Sequence, residues 1–205
     1  VSSDGRTGDG AGILIEIPDI FFKKECKFSL PEFKEYAVGM VFLPPKKNQL
    51  NYCVDIFEEE IKRQGLNILG WRDVPVNSKV VGAIASQSQP NIKQVFVGKN
   101  DPNQTEKDFL LRLYIARKIS ENRIYQSKLS QRSFFYFSSL HNRTIIYKGL
   151  LIPEDIERFY IDLKNPMLVT RLALVHQRFS TNTFPTWDLA QPFRSVSYTH
   201  LRAHE

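Results

Sequence analysis

The chain has 205 residues, of which 42% are hydrophobic and 24% are charged, a balance typical of one soluble globular domain or most of one. No apolar run approaches the roughly 20 residues of a membrane span, and no secretory signal opens the chain, so we expect a cytoplasmic protein without a membrane segment. The net charge of +6 comes from scattered basic residues, which does not favour a nucleic-acid partner because nucleic-acid footprints are clustered.

The two cysteines, Cys26 and Cys53, are far apart in the chain and lack the spacing of metal ligands. We therefore expect neither a metal site nor a disulfide framework. Both thiols are expected to be buried or half-buried.

The first predicted strand follows a glycine-rich lead. Residues 1–12 are polar and rich in glycine, and the apolar run 13–17 then predicts a strand. Phosphate-binding glycine loops follow a strand and open a helix, whereas this one precedes a strand, so dinucleotide binding is not favoured. A calcium loop is not favoured either, because Ile15 stands where the twelfth position needs a bidentate acid.

Hydrophobic periodicity predicts the next two elements. The apolar run 36–43 is closed by two prolines and predicts a central strand buried on both faces. Amphipathic spacing over 54–64 predicts a short helix that ends at Gly65. The acids of this helix are expected on its solvent side: Glu58, Glu59 and Glu60.

Two further strands and a long helix are predicted in the middle of the chain. The stretch 66–76 is predicted to be a strand that runs into a loop, 92–97 is a second strand, and the helix runs over about 105–125. Thr105 is expected to cap this helix, with Asp108 supporting the first turn. The helix should pack through one stripe, formed by Phe109, Leu113, Ala116 and Ser120.

Aromatic strands are predicted at 134–137 and 144–147, followed by a helix over 154–163 that Pro153 opens. Aromatic strands beside basic residues also occur where proteins stack RNA bases, but core strands are the commoner explanation. Strand-rich halves separated by helices predict an α+β sandwich.

An apolar run at 171–176 predicts a buried strand that leads into a polar loop. Binding sites usually lie in such loops, so residues 176–194 form the candidate site. Arg178 carries a rigid fork of donors that matches a carboxylate in two parallel bonds, with Thr181 and Asn182 within reach. These three side chains could bind the α-carboxylate end of an amino acid. By itself, Arg-x-x-Thr-Asn would equally suit a structural ion pair and local turns.

One long segment resembles a known family. It is His176-Gln-Arg-Phe-Ser-Thr-Asn-Thr-Phe-Pro-Thr-Trp-Asp-Leu-Ala-Gln-Pro-Phe-Arg194. The segment is similar to the glutamine-binding loop of class II glutamine amidotransferase domains. Its Asn-Thr-Phe-Pro-Thr-Trp continuation resembles the version found in the glutamate synthase large subunit. The stretches 7–18 and 70–75 resemble the same family.

The resemblance implies a fold and a reaction. The fold would be the four-layer αββα sandwich of N-terminal-nucleophile (Ntn) hydrolases, incomplete at both ends in this chain. The parent protein would hydrolyse glutamine at an N-terminal cysteine whose α-amine acts as the base, and the ammonia would serve to make glutamate from 2-oxoglutarate. Arg178 would hold the substrate α-carboxylate, with Thr181 and Asn182 orienting it. Asp9 and Gly10 would line the site.

Cofactors and partners are implied only for the full-length protein. FMN and an iron-sulfur cluster would belong to the synthase domain of the same polypeptide, and no cofactor is expected in this segment. The expected partners are glutamine, the synthase domain, and a small subunit or ferredoxin. The sequence leaves the electron donor open.

Catalytic groups of the family are not found in the chain. The first residue is Val1, so we expect a fragment that begins inside a domain and lacks the nucleophilic cysteine. Neither Cys26 nor Cys53 has the neighbouring α-amine that would activate it. The oxyanion-hole Asn-Gly expected soon after Arg194 is not found either, so the fragment alone is expected to be inactive.

Two other functions compete with this interpretation. The stronger is a non-catalytic amino-acid-binding or interaction module. The weaker is a serine hydrolase that uses Ser180, His176 and Asp188, but no nucleophile-elbow glycine pattern surrounds the serine.

The last eleven residues are predicted to be foreign to the protein. The resemblance stops within one residue of Arg194, and 195–205 resemble translated adaptor sequence. We therefore expect 1–194 to be a partial amidotransferase domain and 195–205 a non-native tail. A metal pair of His200 and His204 is the alternative, but it lacks a third ligand. Sequencing the locus from unamplified source DNA tests this: we expect the tail to be absent, and recovering it in frame would contradict the prediction.

Overall fold

The computed structural model describes residues 7–177 and 185–194. The predicted foreign tail lies outside these ranges. Within them, no helix combines the length and the apolar character that crossing a bilayer requires.

The described chain alternates strands with helices of very different length. Short 3₁₀ turns lie at Ser78–Val80, Arg132–Phe134, Pro153–Asp155 and Ile161–Lys164. The strands and helices are, in order, β1 (Ala11–Glu16), α1 (Asp19–Glu25), β2 (Tyr36–Leu43), α2 (Lys47–Arg63), β3 (Leu66–Asp73), α3 (Ala83–Ser86), β4 (Asn91–Lys99), α4 (Glu106–Gln126), β5 (Tyr136–His141), β6 (Thr144–Gly149), α5 (Ile156–Phe159) and β7 (Ala173–His176).

The strands form two antiparallel sheets. The larger has the order β3-β4-β2-β5, and the smaller has the order β6-β1-β7. Strand β2 lies inside the larger sheet and all eight of its residues are buried. The prediction of a central strand at 36–43 is therefore confirmed, and its continuous apolar run reflects packing on both faces.

Two hydrophobic cores cover the two faces of the larger sheet. One core joins it to the smaller sheet, and Phe96 lies near its centre with the rings of Phe22 and Phe28 at 5.2 and 5.3 Å. The other core joins it to helices α2 and α4 through side chains such as Phe57 and Phe109. The described residues thus form sheet, sheet and helix layers, and the predicted α+β class is confirmed.

Helix α4 confirms the most detailed helix prediction. The Thr105 hydroxyl accepts a hydrogen bond from the backbone N–H of Asp108 at 3.2 Å, which satisfies one of the unpaired donors of the first turn. The predicted stripe is buried along its whole length: Phe109, Leu113, Ala116 and Ser120.

Helix α2 starts seven residues earlier than predicted. Two prolines end β2, and the helix begins at Lys47, directly after its N-cap Lys46. Leu50 and Cys53 extend the buried face of the predicted part. Gly65 has a φ of +69°, so the predicted end of this helix is confirmed.

The prediction that Glu60 faces solvent is wrong. Its side chain is 1% exposed and accepts from Arg63 on the same helix and from Arg123 on α4. Glu59 bonds to Arg123 at 2.8 Å but is 42% exposed. Arg123 reaches both acids from the neighbouring helix, and this packing overrides the position that the local pattern predicts.

The prediction of one helix over 154–163 is also wrong. Helix α5 covers only Ile156–Phe159, and Tyr160 then adopts an extended conformation that pairs with Val76. The backbone N–H of Ile161 donates to the Pro75 carbonyl at 3.1 Å. Pairing with the loop after β3 therefore replaces the helical hydrogen bonds.

Two strand predictions need correction. Strand β5 begins at Tyr136 and not at Phe134, which lies in a 3₁₀ turn. Strand β7, predicted to be buried, is instead an edge, with Leu174 and Val175 exposed by 40% and 65%. Among the described residues it pairs only with β1, so its other edge is open.

We predict that Glu60→Gln lowers the free energy of unfolding by about 2 kcal/mol, because Arg123 and Arg63 then lose a buried counter-charge. Glu59→Gln is the matched control and should cost much less, since its pair is solvent-screened. Urea unfolding of the purified variants measures both. Equal losses would show that burial of Glu60 does not strengthen its contacts.

Candidate functional site

The central residues of the predicted glutamine site lie outside the described ranges. Arg178, Thr181 and Asn182 belong to the stretch 178–184, so their contacts stay predictions. The structure describes both flanks of this stretch, namely β7 on one side and residues 185–194 on the other.

The predicted site-lining residues lie at the end of the sheet where this stretch begins. Strands β1 and β7 are antiparallel, with Gly12 opposite His176. The chain therefore enters β1 past Asp9 and Gly10 at the end where β7 leaves toward Arg178. Gly10 is buried and has a φ of +116°, a conformation that favours glycine, whereas Asp9 is exposed.

His176 ends β7 as a buried side chain, unlike the exposed residues before it. Burial lowers the pKa of His176 from its ordinary value of 6.5, so the imidazole is neutral at neutral pH. The last residue of the strand thus points into the protein just before the predicted glutamine loop.

Residues 185–194 are held by a tryptophan inserted into the core between the sheets. The indole N–H of Trp187 donates to the Ala85 carbonyl at 3.0 Å. Its ring lies 5.5 Å from that of Phe159 and 6.3 Å from that of Phe42. These contacts fix the start of the segment that follows the predicted loop.

Two glycines let this segment approach the smaller sheet closely. A side chain at Gly12 would place its Cβ 2.5 Å from the Gln191 carbonyl oxygen, and one at Gly149 would lie 2.6 Å from the Trp187 ring. Both distances are too short for real carbon atoms. The segment therefore lies directly on β1 through its backbone and on β6 through the Trp187 ring.

Lys148 binds the same segment from strand β6. Its ammonium donates to the Asp188 carbonyl at 2.7 Å and to the Tyr136 hydroxyl at 3.3 Å. The ring centroids of Tyr136 and Phe193 lie 4.7 and 4.9 Å away. Burial lowers the pKa of Lys148 to about 7, with Arg194 adding to the effect and Asp188 opposing it.

Gln191 contributes a second polar group. Its side-chain Oε1 is shielded from solvent and accepts no hydrogen bond from the part of the chain that the structure describes. A buried acceptor of this kind needs a donor. Arg194 ends the segment by donating to the Phe137 carbonyl and lying 5.3 Å from the Tyr136 ring.

Sequence reasoning missed both Lys148 and Gln191. Lys148 is one of the basic residues beside the aromatic strands, and its place directly after the apolar run 145–147 does not show that it is buried. The core interpretation of these strands is confirmed, since Phe137 and Tyr147 are fully buried. Gln191 carried no signal beyond its place in the resembling segment.

The serine-hydrolase alternative gains no support from the described residues. Ser180 lies outside the described ranges. The Asp188 carboxylate accepts from the Thr186 hydroxyl at 2.7 Å, a contact within its own loop.

Neither cysteine lies in an environment that would make its thiol reactive. Cys53 is buried and Cys26 is half-buried, as predicted. Burial raises the pKa of Cys53 to about 12 and that of Cys26 to about 11, so both thiols stay protonated at neutral pH. Among the described residues, no cluster of three or more His, Cys, Asp or Glu side chains could hold a metal ion.

A cavity of 320 Å³ lies beside His176. Its polar lining is limited to His176, Thr170 and Glu157, and aliphatic side chains from β1, β7 and the α5 region form most of the rest. This lining does not match the two charged ends of an amino acid, so we do not assign glutamine to it.

Comparison with known proteins connects these observations to a family. The family model for class-II glutamine amidotransferases matches residues 1–200. The glutamate synthase (NADPH) large chain of Bacillus subtilis (strain 168) is 47% identical over 193 residues, which are 94% of this chain and 12% of that protein. The glutamate synthase (NADH) of Saccharomyces cerevisiae is 43% identical over 97% of this chain and 10% of its own length. The ferredoxin-dependent glutamate synthase 1, chloroplastic/mitochondrial, of Arabidopsis thaliana is 40% identical over 96% of this chain and 12% of its own length.

The chain spans only 10 to 12% of the length of these three relatives. Their names include NADPH, NADH and ferredoxin, and these words describe the relatives and not this chain. The family model, in contrast, matches nearly all of this chain. The chain therefore belongs to the class II glutamine amidotransferase family.

Proposed function

We propose that the chain is part of the glutaminase domain of a glutamate synthase, and that it binds glutamine whose ammonia is used to make glutamate from 2-oxoglutarate. The observation that carries the proposal is the family match over 1–200, together with 40 to 47% identity to glutamate synthases across 94 to 97% of the chain. The family description supports glutamine as the ligand, and the names of the relatives support glutamate as the product. The use of the ammonia is what the resemblance implies.

The proposal includes the four-layer sandwich that the resemblance implies. The described residues supply two facing sheets and the helical layer of α2 and α4. A second helical layer would cover the smaller sheet. The exposed side chain of Leu174 on β7 supports this part of the proposal. It lies on the opposite face of the sheet from Val175, which lines the cavity beside α5, and an exposed apolar side chain on that face calls for a covering layer.

In the proposed site, Arg178 pairs with the α-carboxylate of glutamine through two parallel hydrogen bonds. Thr181 and Asn182 orient the substrate, and Asp9 and Gly10 line the site. The register of β1 and β7 supports this arrangement, because it brings the glycine-rich turn to the end of β7 from which the loop departs.

Catalysis needs a nucleophile that these 205 residues do not supply. Both cysteines are internal, and burial raises the pKa of each thiol. An N-terminal cysteine elsewhere in the polypeptide, with its own α-amine as base, would perform the attack. We therefore propose binding without hydrolysis for the 205 residues alone. A module that never takes part in catalysis remains the competing function.

The residues of this chain do not fit an iron-sulfur cluster. An iron-sulfur cluster is commonly held by four cysteine thiolates, whereas this chain has two cysteines whose thiols stay protonated. We therefore propose that the cluster and FMN belong to the synthase domain of the same polypeptide. A small subunit or ferredoxin would supply electrons, and the names of the relatives include both pyridine nucleotides and ferredoxin.

A cytoplasmic location stays a prediction of the sequence. The names of some relatives refer to organelles, as in the Arabidopsis protein, and those words describe those proteins.

We predict that the purified 205-residue chain binds glutamine but releases no ammonia from it, because neither cysteine forms a thiolate at neutral pH. Isothermal titration measures binding, and a coupled ammonia assay measures turnover. Ammonia release above the uncatalysed background would contradict this prediction.

In the native polypeptide that carries this chain, Arg178→Lys should raise the KM for glutamine roughly 10- to 150-fold, since losing one arm of a charge-assisted pair costs about 1.5 to 3 kcal/mol. Arg171→Lys is the matched control, because Arg171 forms an exposed pair with Glu16 at 2.6 Å. Steady-state kinetics of both variants give the answer. A KM that Arg178→Lys leaves unchanged would identify Arg178 as a structural residue.

A further inference from the structure

Lys148 is a buried lysine that the proposed reaction does not use. Its side chain is fully shielded from solvent, and its hydrogen bonds go to a carbonyl and a hydroxyl rather than to a carboxylate. Taking an ammonium out of water without a charged partner is unfavourable. A methionine or leucine would fill the same space at lower cost, so packing alone does not account for a lysine here.

Three parts of the protein meet at the ammonium of Lys148. The lysine itself comes from β6, Tyr136 comes from β5 of the other sheet, and Asp188 and Phe193 come from the segment after the predicted glutamine loop. The backbone of β6 is held as well, because the Tyr160 hydroxyl donates to the Lys148 carbonyl at 2.7 Å. The segment is thus attached to a rigid position between the sheets.

One row of the smaller sheet connects Lys148 to the start of the predicted loop. Gly12 pairs with Lys148 on one side and with His176 on the other. The backbones of Lys148 and His176 are therefore two strand spacings apart, about 10 Å. The predicted loop leaves the sheet beside one end of this row, and the chain after it returns to the other end.

We propose that Lys148 is a positioning residue for glutamine binding: its bond to the Asp188 carbonyl fixes residues 185–194, which follow Arg178, Thr181 and Asn182 in the chain. This inference rests on the proposed function. The lysine acts through the backbone of residues 185–194 and does not touch the substrate.

The bond to Asp188 does not require a charged lysine. Burial and the nearby Arg194 lower the pKa of Lys148 to about 7, while Asp188 opposes this change. Tyr136 and Tyr160, which also face Lys148, have pKa values raised by burial and stay protonated. A neutral amine still donates to a carbonyl, so the anchor persists on both sides of neutral pH.

The test uses Lys148→Met, which keeps the shape of the side chain but removes its donors. In the native polypeptide we expect at least a tenfold rise in the KM for glutamine with kcat changed less than threefold. The matched control is Lys99→Met, because Lys99 also packs near a ring, that of Phe109 at 5.8 Å, and bonds to Glu35 at 2.7 Å. Lys99→Met should leave the KM unchanged.

A second measurement follows the anchored segment directly. In a Trp71→Phe background, Trp187 is the remaining tryptophan of the 205 residues. Lys148→Met should at least double the acrylamide quenching of its fluorescence, and Lys99→Met should not. If Lys148→Met does not fold, Lys148→Leu replaces it, since leucine also lacks a donor for the Asp188 carbonyl and is smaller than methionine.

The outcomes separate the two proposals. Unchanged KM and unchanged quenching in Lys148→Met overturn the positioning role, as does an equal KM rise in Lys99→Met, which would indicate general destabilisation. If the unsubstituted protein neither binds nor hydrolyses glutamine, the proposed function fails. In that case the quenching comparison still decides whether Lys148 anchors the segment.

Discussion

The candidate site depends on one row of three residues across the smaller sheet: His176, Gly12 and Lys148. The missing side chain of Gly12 lets the Gln191 carbonyl lie against the sheet, while its two neighbours in the row are a buried imidazole and a buried amine. A Cβ at the middle position would push the segment away. The chemistry proposed for the loop thus depends on the absence of one methyl group in a strand far from it in sequence.

Much of the fold could be predicted from local pattern, and two of the failures share one physical cause. Strand β2 and helix α4 follow from continuous apolar character and from a threonine cap, which are properties of neighbouring residues. The helix over 154–163 fails because Tyr160 pairs with Val76, which lies more than 80 residues away in the chain. The burial of Glu60 depends on Arg123 in the same way. No local window contains these partners.

The residues of the candidate site also differ in whether local sequence can predict them. The resembling segment by itself predicts Arg178, Thr181 and Asn182 as glutamine contacts, and these three residues lie outside the described ranges. Lys148 and Gln191 enter only through the structure, because burial and contacts between β6 and a segment 40 residues further along are what distinguish them. The sequence alone does not show whether a lysine side chain is exposed to water or bonded to a buried carbonyl.

The exposed edge of β7 couples the stability of the folded chain to its surroundings. In the described part of the chain, β7 pairs with β1 alone, and its outer N–H and C=O groups form a template for another strand. A strand added there would gain backbone hydrogen bonds and bury Leu174 and Val175, each contributing on the order of 1 to 2 kcal/mol. Folding of these residues is therefore linked thermodynamically to whatever occupies that edge. The free energy of unfolding measured for these 205 residues alone is a lower bound on its value when the edge is covered.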